Sequence, residues 1–309
     1  MPQKIHGFHA IPGTQLSIPY TVLEGAPGRT ALVTAGIHSA EYVGIQALVE
    51  LRNELTPEEL QGKVILLPLV NRSGFENRTM SMVWEDGKNL NRVFPGNPCG
   101  SVAEKLAFSI MNHFIRCADL YIDLHCGDGY ETLTPYVYFV GNTPAEEESR
   151  RLAEAVDVPC AVRSSCHSGG AYNVASVAGI PSVLIERGCM GRWSREEVDA
   201  DKTDVINLLR TAGMIEGKPA RYPKDFIFEE VIYEDAPATG LWYPDVQTGN
   251  RFHRGERLGV ICDYLGKKLH EVIAKTDGLM LYQASSLNVL EKGPMVAYGV
   301  LPCGSKPKY

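Results

Sequence analysis

The chain has 309 residues, of which 44% are hydrophobic and 22% charged, with a formal net charge of −7. Such a chain can bury a core large enough for one large domain or two ordinary ones, and its mild acidity gives no reason to expect nucleic acid or an anionic membrane as partner. No run approaches the roughly 18–20 consecutive apolar residues that span a bilayer, and the first twenty residues lack the apolar centre of a signal peptide. Eight cysteines (Cys99, Cys117, Cys126, Cys160, Cys166, Cys189, Cys262 and Cys303) are scattered without a CxxC pair, the pattern expected of reduced thiols in a cytoplasm.

Taken in order, the first two thirds alternate strand and helix. "GRTALVTAGI" reads as a buried strand, and "EYVGIQALVELRNEL" as a helix with Val43, Ala47, Leu48 and Leu51 on one face. "GKVILLPLV" is continuously apolar from Val64 to Leu67, as a strand covered on both faces would be. "SVAEKLAFSIMNHFIRCA" is a helix that opens on a capping box, Ser101 with Glu104. The strands "DLYIDLHC" and "TPYVYFVG" follow, then a helix in "TPAEEESRRLAEAV" and the strand "IPSVLIERG". A long amphipathic helix, "WSREEVDADKTDVINLLRTAGMI", is capped by Ser194. This alternation predicts an α/β domain over residues 1–214: a mixed, largely parallel sheet with helices on both faces, its site at the carboxyl ends of the strands. After residue 215 short apolar pieces are punctuated by Gly249, Gly255, Gly259, Gly266, Gly278 and Gly293. Residues 215–309 are therefore expected to form a small all-β domain.

Four stretches carry residues that can do chemistry. In "GIHSAE", His38 and Glu41 sit at i and i+3 behind a strand; the pair is either a capping turn or half of a metal site. His125 ends the strand "YIDLH" and is either a structural histidine or a ligand, since two histidines and a carboxylate form the ligand set of a catalytic zinc. Asp123, two positions earlier, is left open between the opposite strand face and a place behind the imidazole. Glu186 ends the strand "SVLIE", where it is either a general base or one half of a salt bridge. Arg187 is excluded as its partner, because adjacent strand residues point to opposite faces. The segment "VNRSGFENRTMSMVWEDGKNLNRVFPG" is loop-like and basic. It is either a solvated turn or the holder of a substrate carboxylate and a developing oxyanion.

"GIHSAE", "NLNRVFPG", a strand ending "DLH" and a strand ending "IERG", in that order, resemble the succinylglutamate desuccinylase/aspartoacylase family of the zinc carboxypeptidase superfamily. The resemblance covers most of the chain and implies a zinc carboxypeptidase-like fold, with a barrel-sandwich C-terminal domain. It implies one Zn²⁺ per chain on His38, Glu41 and His125, with Glu186 as general base and Asn91 and Arg92 gripping the substrate's carboxylate. Arg78 is assigned to polarise the scissile carbonyl, with Arg72 as its competitor. Two positions depart from the family's habit: Ser39, where glycine is usual, and Arg187, where small or apolar residues are common, raising the expectation of a different substrate. In the glycine-rich, loop-like "RSSCHSGGAYNVAS", Arg163, His167 and Tyr172 are further candidates to touch substrate.

The function implied is hydrolysis of an amide in an N-acyl amino acid or a similar small carboxylate. A metallocarboxypeptidase acting on short peptides uses the same ligands, and a binding protein that has kept the fold without catalysis belongs to another class. The C-terminal part offers no lysine between methionines for a carrier role ("GKKLHEV" comes nearest), so a lid or an oligomer contact is expected of it, which leaves room for a homo-oligomer.

Overall fold

The computed structural model describes residues 1–302. The α/β part is laid out as β1 (Gln3–Ala10), β2 (Ser17–Glu24), β3 (Ala26–Ala35), α1 (Tyr42–Glu54), β4 (Gln61–Leu67), α2 (Arg72–Asn77), α3 (Val102–His113), β5 (Leu120–His125), β6 (Glu131–Leu133), β7 (Tyr136–Val140), α4 (Glu146–Ala153), β8 (Cys160–Ser164), α5 (Ala171–Val177), β9 (Ser182–Glu186), α6 (Arg195–Thr211) and β10 (Phe226–Phe228). Nine of these strands form one sheet in the order β1-β2-β4-β3-β5-β9-β7-β8-β10. Pairing is parallel from β4 through β3 and β5 to β9 and again from β7 through β8 to β10, and antiparallel elsewhere. The sheet is mixed and largely parallel, as the alternation of elements predicts.

Period-two alternation divides the sheet's side chains between two cores. Ala31, Val33, Leu120, Ile122, Leu124, Val183 and Ile185 face one way, against Leu48 and Leu51 of α1, Leu152 of α4 and Val205 and Leu208 of α6. Leu32, Tyr121 and Leu184 face the other way, against Leu106 and Ile110 of α3 and Ala171 and Ala175 of α5. Helix α1 comes unusually close to the sheet at Gly44, where an added Cβ would lie 2.6 Å from the Cβ of Leu124. Only glycine fits there.

Both predicted caps form in part or whole. Glu104 Oε2 accepts the Ser101 backbone N–H at 2.7 Å, and Ser194 Oγ accepts the Glu197 N–H at 3.2 Å. The differences from expectation are local. Strands β1 and β2 form an antiparallel ribbon at the sheet edge, and β1 is exposed along most of its length, so no burial pattern marks it. The "RSSCHSGGAYNVAS" stretch is not all loop: β8 ends in it and α5 begins at Ala171.

Beyond the large sheet, β11 (Val231–Asp235), β12 (Gly240–Pro244), β13 (Arg251–Phe252), β14 (Arg257–Cys262), β15 (Lys268–Ile273), β16 (Gly278–Ala284), β17 (Asn288–Val289) and β18 (Pro294–Val300) make two antiparallel sheets. Trp242, Leu258, Ile261 and Val272 from one sheet and Met280, Val296 and Tyr298 from the other share a core. The two parts of the chain interlock. Strand β10 adds residues 226–228 to the large sheet, and β6 leaves the α/β part to pair with β16. No helix among the described residues is long and apolar enough to cross a membrane. The seven described cysteines are free; Cys303 lies outside the described residues.

Arg187 follows β9 on the α1/α6 side of the sheet, away from Glu186. It is nearly buried, donates to Asp204 Oδ2 at 2.5 Å and to the Asp157 carbonyl at 2.9 Å, and has Asp201 Oδ1 at 3.3 Å. Its role is to neutralise two aspartates of α6, so the expectation that it reports on substrate is corrected. Burial pushes the Asp201 carboxyl well up despite the guanidinium. Replacing Arg187 with methionine leaves that acidic pair uncompensated and is expected to cost about 3–5 kcal/mol in chemical denaturation. A loss below about 1 kcal/mol, the range of an exposed pair, would contradict this role.

Candidate metal and catalytic site

Strand β3 ends at Ala35, and Gly36, at φ +67°, turns the chain into the loop that carries His38. Glu41 occupies the N-cap position of α1, yet its side chain caps nothing. Instead its two carboxylate oxygens reach two imidazoles: Oε1 lies 2.7 Å from Nδ1 of His38 and Oε2 lies 2.8 Å from Nδ1 of His125. One ligand atom from each of the three residues can be chosen so that all lie within 4.8 Å of one another. Two ligands each about 2.1 Å from one ion sit at most roughly 4.2 Å apart, so a contraction of about half an ångström would enclose a divalent cation.

An oxygen acceptor stands behind each imidazole, hydrogen-bonded at His38 and only close at His125. His38 Nε2 meets Asn89 Oδ1 at 3.1 Å, and His125 Nε2 lies 3.3 Å from Asp123 Oδ2. Acceptors behind both rings favour the tautomer that leaves Nδ1 free for a metal. Asp123 is on the same strand face as His125, two residues on, which settles the open question about it. It is fixed by Thr34, its direct neighbour across β3 and β5, whose Oγ1 donates to Asp123 Oδ1 at 2.7 Å. The Asp123–His125 contact is not a well-aligned hydrogen bond, and both atoms remain otherwise unsatisfied in a buried site. Such orphaned atoms fit a group whose binding would draw the imidazole into line. Burial pushes the Glu41 carboxyl up, but His38 and His125 outweigh it and hold it at about 2. Burial likewise opposes a charged His125, yet Glu41 and Asp123 raise it well above an ordinary histidine.

Glu186 stands directly across from His125 in the parallel β5/β9 pair and across from Tyr136 in the β9/β7 pair. Adjacent strands lie about 4.8 Å apart and paired residues share a face, so Glu186 projects beside the His–Glu–His cluster. Among the described residues its carboxylate has neither a hydrogen bond nor an ion pair. The salt-bridge alternative is therefore not realised. Burial first, and then the Glu41 charge, push its carboxyl well above the usual range.

Around Glu186 lies a group of tyrosines that the sequence reading passed over. Tyr136 and Tyr138 alternate on β7, their hydroxyls 3.2 Å apart, and Tyr138 meets the hydroxyl of Tyr233 on β11 at 3.1 Å. Glu186 acts electrostatically on all three and on Tyr172. Tyr172 is buried, and its hydroxyl donates to Ser164 Oγ at 2.9 Å. The signal for Tyr136 and Tyr138 was present in "TPYVYFVG", where period two puts them on one face; Tyr233 carried no comparable signal.

Asn91 and Arg92 lie in a short 3-10 turn, Leu90–Arg92. Asn91 is buried, and its Oδ1 accepts the Ala171 N–H at 2.9 Å, so it holds the start of α5. Arg92 is exposed and close enough to Tyr233, Tyr282 and Glu131 to act on their titration. Arg78, at φ +55°, ends α2, is exposed, and has no side-chain partner among the described residues. Two residues on, the Met80 carbonyl accepts both the Ser39 N–H at 2.8 Å and the Ser39 hydroxyl at 2.6 Å. Ser39 thus ties the Arg78 loop to the His38 loop. The competitor Arg72 is held elsewhere, by Ser17 at 3.0 Å, by Glu76 at 3.2 Å and over the ring of Phe8. Arg163 also has its own partners, Glu146 at 2.6 Å, Asn142 at 3.0 Å and Glu229 at 3.4 Å, and His167 is exposed with Cys166 Sγ 3.4 Å from its ring. Nothing among the described contacts joins Arg163 or His167 to the cluster.

The catalytic-domain signature of the succinylglutamate desuccinylase/aspartoacylase family matches residues 27–212. The chain belongs to that family. It is 33% identical to the N-alpha-acetyl-L-2,4-diaminobutyric acid deacetylase of Halomonas elongata over 294 residues, 89% of this chain and 85% of that one. Among solved structures it is similar to the product-bound ectoine utilization protein EutE (DoeB) of Ruegeria pomeroyi, with a TM-score of 0.86 and 25% identity over 96% of this chain and 95% of that one. A succinylglutamate desuccinylase/aspartoacylase from Rhodobacter sphaeroides gives 0.85 and 29% over the same shares.

Asn89 and Asp123 stand behind the two imidazoles of the His38–Glu41–His125 group, where they would orient the rings toward a metal bound there. Asp123→Asn or Asn89→Ala is expected to weaken Zn²⁺ affinity roughly 10- to 100-fold in a chelator competition. Affinities equal to the parent's in both variants would contradict the assignment.

Proposed function

We propose that this chain is a zinc-dependent hydrolase that cleaves the amide of an N-acyl amino acid. The observation that carries the reading is Glu186 standing unpaired on the strand beside His125 of a partly buried His38–Glu41–His125 cluster. Kinship with a diaminobutyric acid deacetylase makes an N-acetylated diamino acid the first substrate to test. Metallocarboxypeptidase action on peptides fits less well, because the matched relative is a deacetylase.

Bound zinc would supply Lewis acidity and lower the pKa of a water at the site. The protein's own groups do the rest. Arg92 receives the substrate carboxylate, with Asn91 beside it to donate from Nδ2. Arg78, swung in from the loop tied to Ser39, faces the carbonyl oxygen as charge develops there. Glu186 takes the proton of the attacking water and returns it to the departing amine; a carboxyl whose surroundings raise its pKa holds that proton readily between the two steps. The seven free cysteines support a reducing compartment, and we assign the protein to the cytoplasm.

Glu186→Gln removes the base and keeps the shape. It is expected to lower kcat on N-acetyl amino acids by roughly 10²–10⁴-fold while zinc stoichiometry stays at that of the parent. Full activity in this variant, or a metal-free parent with unchanged turnover, would contradict the proposal.

A further inference from the structure

A cavity that shares no residue with the His–Glu–His cluster lies on the seam between the two parts of the chain. Its volume is about 190 Å³, roughly the space of six waters. Two strand pairs face it: Cys160 with Phe226 from β8 and β10 of the large sheet, and Arg251 with Leu279 from β13 and β16 of the C-terminal part. Thr134, just after β6, and Asp225, just before β10, add polar groups to the wall.

Arg251 is the unusual member of that wall. Its guanidinium carbon stands 4.7 Å from the centre of the Phe226 ring, a cation–π contact that fixes the group against the large sheet. Among the described residues the guanidinium makes no hydrogen bond and no ion pair, and its Nη1 is closed off from solvent without a partner. A charged donor left in that state costs stability until an acceptor completes it. The Thr134 hydroxyl, on the same cavity, is also without a hydrogen bond among the described residues. The other walls limit what can enter. Leu279 and Cys160 are buried, and burial pushes the Cys160 thiol up to about 12, so it stays neutral. Asp225 is exposed and not paired with Arg251; its charge repels a doubly charged oxyanion more than a singly charged one.

We propose that this seam cavity binds a short aliphatic monocarboxylate such as butyrate. The carboxylate accepts from Arg251 Nη1 and from the Thr134 hydroxyl, and the hydrocarbon tail lies against Leu279 and Cys160. The ligand touches strands of both parts of the chain, so its binding stabilises their union. No metal ligand or catalytic residue takes part, and the site is independent of the hydrolase reading.

Calorimetric titration of the zinc-loaded protein with n-butyrate, its neutral isostere butyramide and inorganic sulfate tests the site in the parent, in Arg251→Met and in Arg92→Ala. The parent and Arg92→Ala are expected to bind butyrate alike and to prefer it to the other two. Arg251→Met is expected to lose roughly tenfold or more in affinity for butyrate. No butyrate binding in the parent, butyramide or sulfate binding as tightly as butyrate, or unchanged affinity in Arg251→Met overturns the proposal. Loss of butyrate binding in Arg92→Ala overturns it too, because the carboxylate then sits at the catalytic site. Should Arg251→Met not fold, crystals of the parent soaked in butyrate need no variant: density beside Arg251 supports the site, and density only elsewhere, or none, overturns it.

Discussion

One carboxylate joins two distant parts of the chain. Glu41 follows β3 and His125 ends β5, 84 positions apart in sequence, and they meet because β3 and β5 lie side by side and parallel. Parallel pairing puts both strand ends at one edge of the sheet, so the loop after one can touch the last residue of the other. The 2.7 Å and 2.8 Å contacts from Glu41 to the two imidazoles then balance one negative charge between two bases in a buried setting. Everything else at the site is arranged relative to that bridge: Asn89 and Asp123 behind the rings, and Glu186 one strand further along.

The sheet also keeps two sets of charges apart. On one face the run Asp123, His125 and Glu186 builds the site; on the other Arg187 is consumed by Asp201 and Asp204. Residues 186 and 187 are neighbours in the chain and belong to different electrostatic systems. The apolar residues between them on β5 and β9 hold the arrangement, since a one-residue slip of β9 would place Arg187 at the metal site and Glu186 against two aspartates.

Much of this was legible from sequence because the signals are local. Strand ends, capping residues and the spacing of His38 and Glu41 need only a few neighbouring residues to be read. The α/β alternation, with helices on both faces, followed from apolar runs that period-two and period-3.6 burial impose. What the sequence hid were consequences of long-range contact. Tyr233 comes from β11 of the C-terminal part to within 3.1 Å of the Tyr138 hydroxyl, and nothing in its local sequence distinguishes it from a surface residue. Arg163 and Arg72 illustrate the converse: Arg163 is drawn off by Glu146 and Glu229, and Arg72 by Glu76 of its own helix and by Ser17 and Phe8 from the edge ribbon.

The account stands or falls on whether the three ligands share an ion. Anomalous diffraction from crystals of the purified protein, collected on both sides of the zinc absorption edge, locates such an ion directly. The predicted result is one peak per chain, within about 2.0–2.2 Å of His38 Nδ1, a Glu41 oxygen and His125 Nδ1. Zinc-saturated crystals with no peak there, and Glu41 still bridging two bare imidazoles, would contradict it.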